Sequence, residues 1–334
     1  MSVPHEMNAV AFENTGDHFE AIPTRRPTPS PGAGEVLIAV EAAGVNGHDV
    51  HQLHRGGHAL EPGETDLPGL EVSGEIVATG EGVARWQVGD RVCALLRGGG
   101  YSEYAVAAEG SCLPIPGNLS AVQAAALPET YCTVWSNVFI DCALEPDESF
   151  LMNGGTSGIG VAAIQIANAL GHRVFATARG PEKVALCERL GATRGIDYQS
   201  EDFAQVIIDE TDGRGVDVIL DIVAGDYLGK DLDALAHEGR LVFIGGARGC
   251  EAELDIRKLM HKKLSVRGSL LRPRPLDFKA RVVSELVERV WPHLAEGRID
   301  PMVDRTFPLA EAAQALKFLE DRKQIGKVVL AVRT

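Results

Sequence analysis

The stretch Phe150-Leu151-Met152-Asn153-Gly154-Gly155-Thr156-Ser157-Gly158-Ile159-Gly160 constrains the fold more than any other part of this 334-residue chain. A short apolar run enters a glycine-rich turn. An apolar-striped segment, Val161 to Leu170, leaves it and stops at Gly171. The pattern predicts a strand, a tight turn and a helix, with glycine just past the helix end. Such a turn offers backbone N–H groups and the positive end of a helix dipole to an anion, usually a pyrophosphate. The dinucleotide fingerprint G-x-G-x-x-G takes the form Gly155-x-Ser157-x-x-Gly160, with serine at the middle glycine position. Gly155, Ser157, Gly158, Ile159 and Gly160 are therefore candidate contacts to a dinucleotide cofactor. A purely structural glycine turn would look the same in isolation, so the flanking pattern decides.

From Ser149 onward the chain alternates. Strands are expected at 173–178, 195–198, 216–221, 240–245 and 264–271, with helices at 181–190 and 203–210. Six strands alternating with helices form the doubly wound, parallel-sheet pattern of nucleotide-binding α/β domains. Before Ser149 the rhythm differs. Short strands are expected at 7–12, 35–44, 68–80, 89–96 and 101–106, separated by glycines, which predicts a β-rich, barrel-like domain. Residues 23–34 read as a proline-rich connection, and 121–127 and 129–143 as helices. The tail carries an amphipathic helix from Phe278, a second at 310–319 and a last strand at 327–332.

Composition narrows the function. A formal charge of −15 disfavours nucleic acid or an anionic membrane as the main partner. No apolar run reaches the length of a membrane span, and the first residues lack the basic start and apolar core of a signal peptide. Six scattered cysteines without a C-x-x-C pair fit reduced thiols, so a cytoplasmic location is expected.

In a nucleotide-binding sheet the second strand normally ends in an acid that holds the ribose hydroxyls of NAD. Here it ends Thr177-Ala178-Arg179-Gly180, with Lys183 four residues on. Loss of the acid and gain of cations favours a 2′-phosphate, hence NADPH as cofactor.

Together these pieces carry a family resemblance. The motifs are Gly44-Val-Asn-Gly-His-Asp49, Pro68-Gly-Leu-Glu-Val-Ser-Gly74, Val88-Gly-Asp-Arg-Val92 and Gly98-Gly-Gly-Tyr-Ser-Glu-Tyr104. Further on are Ala124-Ala-Ala-Leu-Pro-Glu129, Gly154-Gly-Thr-Ser-Gly-Ile-Gly160, Asp221-Ile-Val-Ala-Gly225 and Gly268-Ser-Leu-Leu271. In order and spacing the chain resembles the zinc-free, zeta-crystallin-like quinone oxidoreductases of the medium-chain dehydrogenase/reductase superfamily. The resemblance implies a catalytic domain of residues 1–126 with 272–334 and a Rossmann domain of 127–271. It places Asn46 near the nicotinamide and the reacting carbonyl, and Thr133 near the nicotinamide end. Tyr198 resembles a tyrosine lining the adenine 2′-phosphate pocket. Gly245 and Leu271 resemble backbone contacts to the nicotinamide half, and Lys327 a residue approaching the cofactor. The zinc-free relatives usually carry a substrate-facing tyrosine in the loop before Gly69-Leu-Glu71. The comparable residue here is His58, in a loop about one residue longer, so Asn46 and His58 are the candidate catalytic residues.

Metal-dependent relatives place cysteine near Asn46 and histidine at the position of Leu70, and add a lobe of four closely spaced cysteines. Cys93 here leads straight into Leu95-Leu-Arg-Gly-Gly-Gly-Tyr101, without that lobe. His48, His51, His54 and His58 recur at helical spacing, but no cysteine or carboxylate completes a tetrahedral set with them. No metal is expected. The resemblance implies NADPH-dependent reduction of a quinone or a related conjugated carbonyl, and a homodimer formed through strand 264–271. The alternatives are an enoyl-thioester or alkenal reductase, a zinc alcohol dehydrogenase, and an NADPH-binding protein without turnover.

Overall fold

The computed structural model describes residues 3–16, 18–56 and 65–333. The chain divides into two compact units. One is Met1–Cys132 with Arg274–Ala295 and Pro301–Thr334; the other is Thr133–Pro273 with Glu296–Asp300.

The first unit opens with an antiparallel hairpin, β1 (Glu6–Asn14) and β2 (Phe19–Pro27). The sequence gives no sign of β2, because Pro23 and Pro27 read as breakers. The strand pairs only with β1, so its other edge needs no N–H donors and tolerates proline. Then follow β3 (Glu35–Val45), α1 (Gly47–Arg55), β4 (Glu71–Thr79), β5 (Arg91–Leu95), β6 (Tyr104–Ala108) and β7 (Cys112–Pro114). β3 lies at the centre and is buried almost throughout, which explains its nearly unbroken apolar run. Two helices close this part, α2 (Ala121–Ala124) and α3 (Pro128–Val134). The helix expected to run to residue 143 instead passes into a π-helical segment over Trp135–Asp141. The Ser136 hydroxyl and the Asn137 side-chain amide both donate to the Thr133 carbonyl, taking a place in the main-chain ladder.

The second unit is a six-stranded parallel sheet. Its elements are β8 (Ser149–Asn153), α4 (Gly158–Ala169), β9 (Arg173–Ala178), α5 (Pro181–Arg189), β10 (Arg194–Asp197), α6 (Phe203–Glu210), β11 (Val216–Asp221), α7 (Leu228–Ala234), β12 (Leu235–Phe243), α8 (Ile256–Lys262) and β13 (Ser265–Gly268). The strand order β10-β9-β8-β11-β12-β13 is the doubly wound order of a Rossmann domain. β8 and β11 are central and buried at every position. β13 lies at the edge, is shorter than the sequence suggests and is exposed at all four residues.

The chain then returns to the first unit with α9 (Leu276–Arg289), α10 (Trp291–Ala295), β14 (Val303–Pro308), α11 (Ala312–Glu320) and β15 (Lys327–Ala331). β15 adds antiparallel to β3, and β14 adds parallel to β15. The seven-stranded sheet of the first unit is therefore completed by the last residues of the sequence, which brings Lys327 to the start of α1.

Candidate active site

Three segments far apart in sequence meet where β3 ends. Asn46 is the N-cap of α1, Glu71 is the first residue of β4, and Lys327 is the first of β15. All three side chains are buried. The Lys327 ammonium donates to Glu71 Oε1 (2.6 Å), to Asn46 Oδ1 (2.6 Å) and to the Val45 carbonyl (3.1 Å). An ammonium has three N–H groups, so Lys327 is fully used. The Asn46 amide donates to Glu71 Oε1 (2.9 Å), and Glu71 Oε2 accepts the Glu129 main-chain N–H (2.8 Å). Gly44 makes room for this: a Cβ there would lie 2.1 Å from Glu71 Oε1. The Asn46 side chain thus turns toward an ion pair.

A second carboxylate supports the same turn. Asp49 Oδ2 accepts the Asn46 N–H (2.8 Å) and the Tyr101 hydroxyl (2.9 Å). Burial pushes the Asp49 carboxyl up to about 6, against the pull of these two donors. Glu129, in the first turn of α3, is pushed up to about 8, by burial first and then by the charge of Glu71, with Lys327 opposing. Lys327 balances Glu71, and burial leaves the Asp49 and Glu129 carboxyls holding their protons more tightly.

His54 Nε2 lies 2.7 Å from Glu320 Oε1, His51 is exposed and His48 is half-buried. His58 lies outside the described residues. No group of three or more His, Cys, Asp and Glu among the described residues is placed to hold a metal ion. The donors present do not fit zinc either. The Asn46 carbonyl oxygen and the Glu71 carboxylate are already engaged by the Lys327 ammonium, which neutralises Glu71.

In the second unit the remaining candidates gather along the carboxyl ends of the parallel strands, where such sheets bind ligands. Gly154, at φ +94°, turns the chain out of β8. Ser157 caps α4: its hydroxyl accepts the Gly160 N–H (2.9 Å) and donates to the Gly154 carbonyl (2.8 Å). The N–H groups of Gly158 and Ile159 come before the first intrahelical donor, the Val161 N–H, and so are left over at the helix start. A Cβ on Gly160 would lie 2.3 Å from the Gly154 carbonyl oxygen, and one on Gly155 2.7 Å from Cys187 Sγ, so both positions demand glycine. The cradle fits a dinucleotide. Past β9, Arg179 is exposed and Lys183 half-buried, and neither side chain makes an ion pair among the described residues. Asp197, the neighbouring acid on β10, accepts the Gly180 N–H instead. Tyr198 stands edge-on to Tyr227, with ring centres 6.3 Å apart. Gly245 follows β12, Leu271 follows β13 and is buried, and Thr133 is buried in α3.

The sequence did not point to a polar chain behind the glycine turn. The Gly154 N–H donates to Thr177 Oγ1 (3.1 Å) and the Thr177 hydroxyl to Asn153 Oδ1 (3.1 Å). The Asn153 amide donates in turn to Asp231 Oδ1 (2.7 Å). Burial, and then the charge of Asp221, push the Asp231 carboxyl well above the usual carboxylate range.

Comparison with known proteins agrees with this geometry. Residues 32–117 match the family model for the alcohol dehydrogenase GroES-like domain, and residues 158–288 that for zinc-binding dehydrogenase. The quinone oxidoreductase of Rattus norvegicus is 31% identical over 324 residues, covering 96% of this chain and 95% of that protein. A quinone oxidoreductase of Pseudomonas syringae superposes with a TM-score of 0.83 at 28% identity, covering 98% of this chain and 100% of that one. A mycobacterial protein solved in complex with NADPH gives the same TM-score, identity and coverage. The chain belongs to the quinone oxidoreductase branch of the medium-chain dehydrogenase/reductase superfamily, and is an oxidoreductase acting on a small molecule.

Proposed function

We propose that this protein is an NADPH-dependent, metal-independent reductase of quinones or related conjugated carbonyls. The carrying observation is the Asn46–Glu71–Lys327 network: a hydrogen-bonded amide, held by an internal ion pair, at the position that the resemblance matches to a zinc ligand of metal-dependent relatives. Without a metal, the acceptor oxygen must be polarised by hydrogen-bond donors. Asn46 gives one amide N–H to Glu71 and keeps a second for the acceptor or for the nicotinamide beside it. Lys327 and Glu71 fix the orientation of that amide.

The Gly155–Gly160 turn holds the pyrophosphate, and Arg179 and Lys183 receive the 2′-phosphate beside Tyr198. Thr133, Gly245 and Leu271 border the nicotinamide half. A bound reduced nicotinamide supplies the hydride. The relatives named above support this reading, as does the pair of unengaged cations at the end of β9. A homodimer through β13 and a cytoplasmic location belong to the same proposal.

The test is a panel of quinones, enones and enoyl thioesters with NADPH and with NADH. Fastest turnover with NADPH and a quinone or enone supports the proposal. Fastest turnover with an enoyl thioester makes the chain a thioester reductase, and NADPH binding without oxidation by any acceptor makes it a binding protein.

A further inference from the structure

Hydride addition to a conjugated carbonyl leaves a negative charge that a proton must quench. The ionisable groups around Asn46 can be sorted by what they already bond. Lys327 donates all three of its N–H groups. Both oxygens of Glu71 are occupied, Oε1 by Lys327 and Asn46, Oε2 by the Glu129 N–H. The Tyr101 hydroxyl donates to Asp49 Oδ2, and Asp49 Oδ1 is sealed from solvent. Glu129 differs from all of these. Its main chain is tied to the Glu71 carboxylate at 2.8 Å, so its backbone is fixed to the carboxylate that positions Asn46. Its own carboxyl makes no hydrogen bond among the described residues, and the residue is half-buried.

We propose that Glu129 is the proton donor of the reduction. This rests on the reductase reading above. When the hydride forms a new C–H bond on the acceptor, the π-electron pair moves to the acceptor oxygen. A new O–H bond forms there as the Glu129 O–H breaks, and solvent returns the proton to the carboxylate. The acceptor gains two electrons and one proton with the hydride's hydrogen; the nicotinamide is oxidised. The surroundings keep Glu129 protonated at neutral pH. The charged and titratable groups facing it are Glu71 from β4, Asp49 from α1, Lys327 from β15, Lys279 from α9 and Cys132 one turn along α3. Burial and the two carboxyls outweigh the two lysines, and the group titrates at about 8.

The experiment compares wild type with Glu129→Gln and Glu129→Asp, using NADPH and a non-titrating enone between pH 6 and 10. Wild-type kcat/KM should be level at low pH and fall about tenfold per pH unit above about 8. Glu129→Gln should be level throughout and lower by roughly 10²-fold or more at pH 7, the scale of general acid catalysis. Its NADPH affinity should be unchanged. Glu129→Asp should keep the alkaline fall at a reduced rate. A readout without turnover is pH-difference infrared spectroscopy of the unliganded protein. A protonated-carboxyl band should disappear as pH rises through 8 in wild type, and that component should be missing from Glu129→Gln. A wild-type profile level to pH 10, or a Glu129→Gln variant with wild-type kcat/KM, overturns the proposal and leaves the reductase reading standing. Failure of wild type to oxidise NADPH with any quinone or enone overturns both.

Discussion

Lys327 and Glu71 are 256 residues apart in sequence and form an ion pair at 2.6 Å, Lys327 almost and Glu71 fully withdrawn from solvent. Two charges buried together are costly to desolvate, and removing one partner leaves the other uncompensated. Lys327→Met or Glu71→Gln should therefore destabilise the first unit by about 3–5 kcal/mol. Combining them should cost much less than the sum, because the double variant buries no unpaired charge. Chemical denaturation of the four proteins in the cycle checks this; additive losses would show that the two side chains act independently.

Arg179 carries the cofactor assignment. Arg179→Ala should weaken NADPH binding by about 1–3 kcal/mol, the scale of a charge-assisted hydrogen bond. NADH binding should hardly change. Titrations of both dinucleotides decide it, and equal wild-type affinity for the two would refute the assignment.

The raised carboxyl of Glu129 predicts a pH dependence of stability. The folded protein holds this proton up to about pH 8, whereas the unfolded chain releases it near 4.5. Stability from this group is therefore full below 4.5 and declines as pH rises to 8, then stays level. The difference in unfolding free energy between wild type and Glu129→Gln should fall across that window by up to about 1.4 kcal/mol per pH unit. Denaturation series at pH 5, 6, 7 and 8 measure the slope, and a constant difference would place the group's titration near its ordinary value.

β13 presents an exposed edge, and around it Val266, Leu270, Ile256 and Met260 are exposed apolar side chains. An edge of this kind invites pairing, and an isologous two-fold contact would cover it. Light scattering should give twice the subunit mass at micromolar concentration. Met260→Lys combined with Val266→Lys should give the single mass; a wild-type monomer would rule the pairing out.

The sequence shows the second unit more plainly than the first. β8, α4 and β9 are legible because a glycine turn between an apolar run and an apolar stripe has few solutions. β2 is hidden by its prolines, β7 by its three-residue length, and β14 by its alternation of exposed polar positions. The site divides in the same way. Residues of the glycine turn are local and readable. The Asn46–Glu71–Glu129–Lys327 cluster depends on strand pairings across the whole chain. A partial signal for it was present nonetheless: Lys327 heads β15 with a base directly before the apolar run Val328-Val329-Leu330. A charge entering a buried strand needs a partner, and here that partner is Glu71.

The most direct test of a metal-independent centre is turnover after exhaustive treatment with a strong chelator, measured with NADPH and a quinone alongside the zinc content of the same sample. The account predicts unchanged kcat with zinc far below one ion per subunit. Activity that is lost with the metal and restored by adding zinc would contradict it.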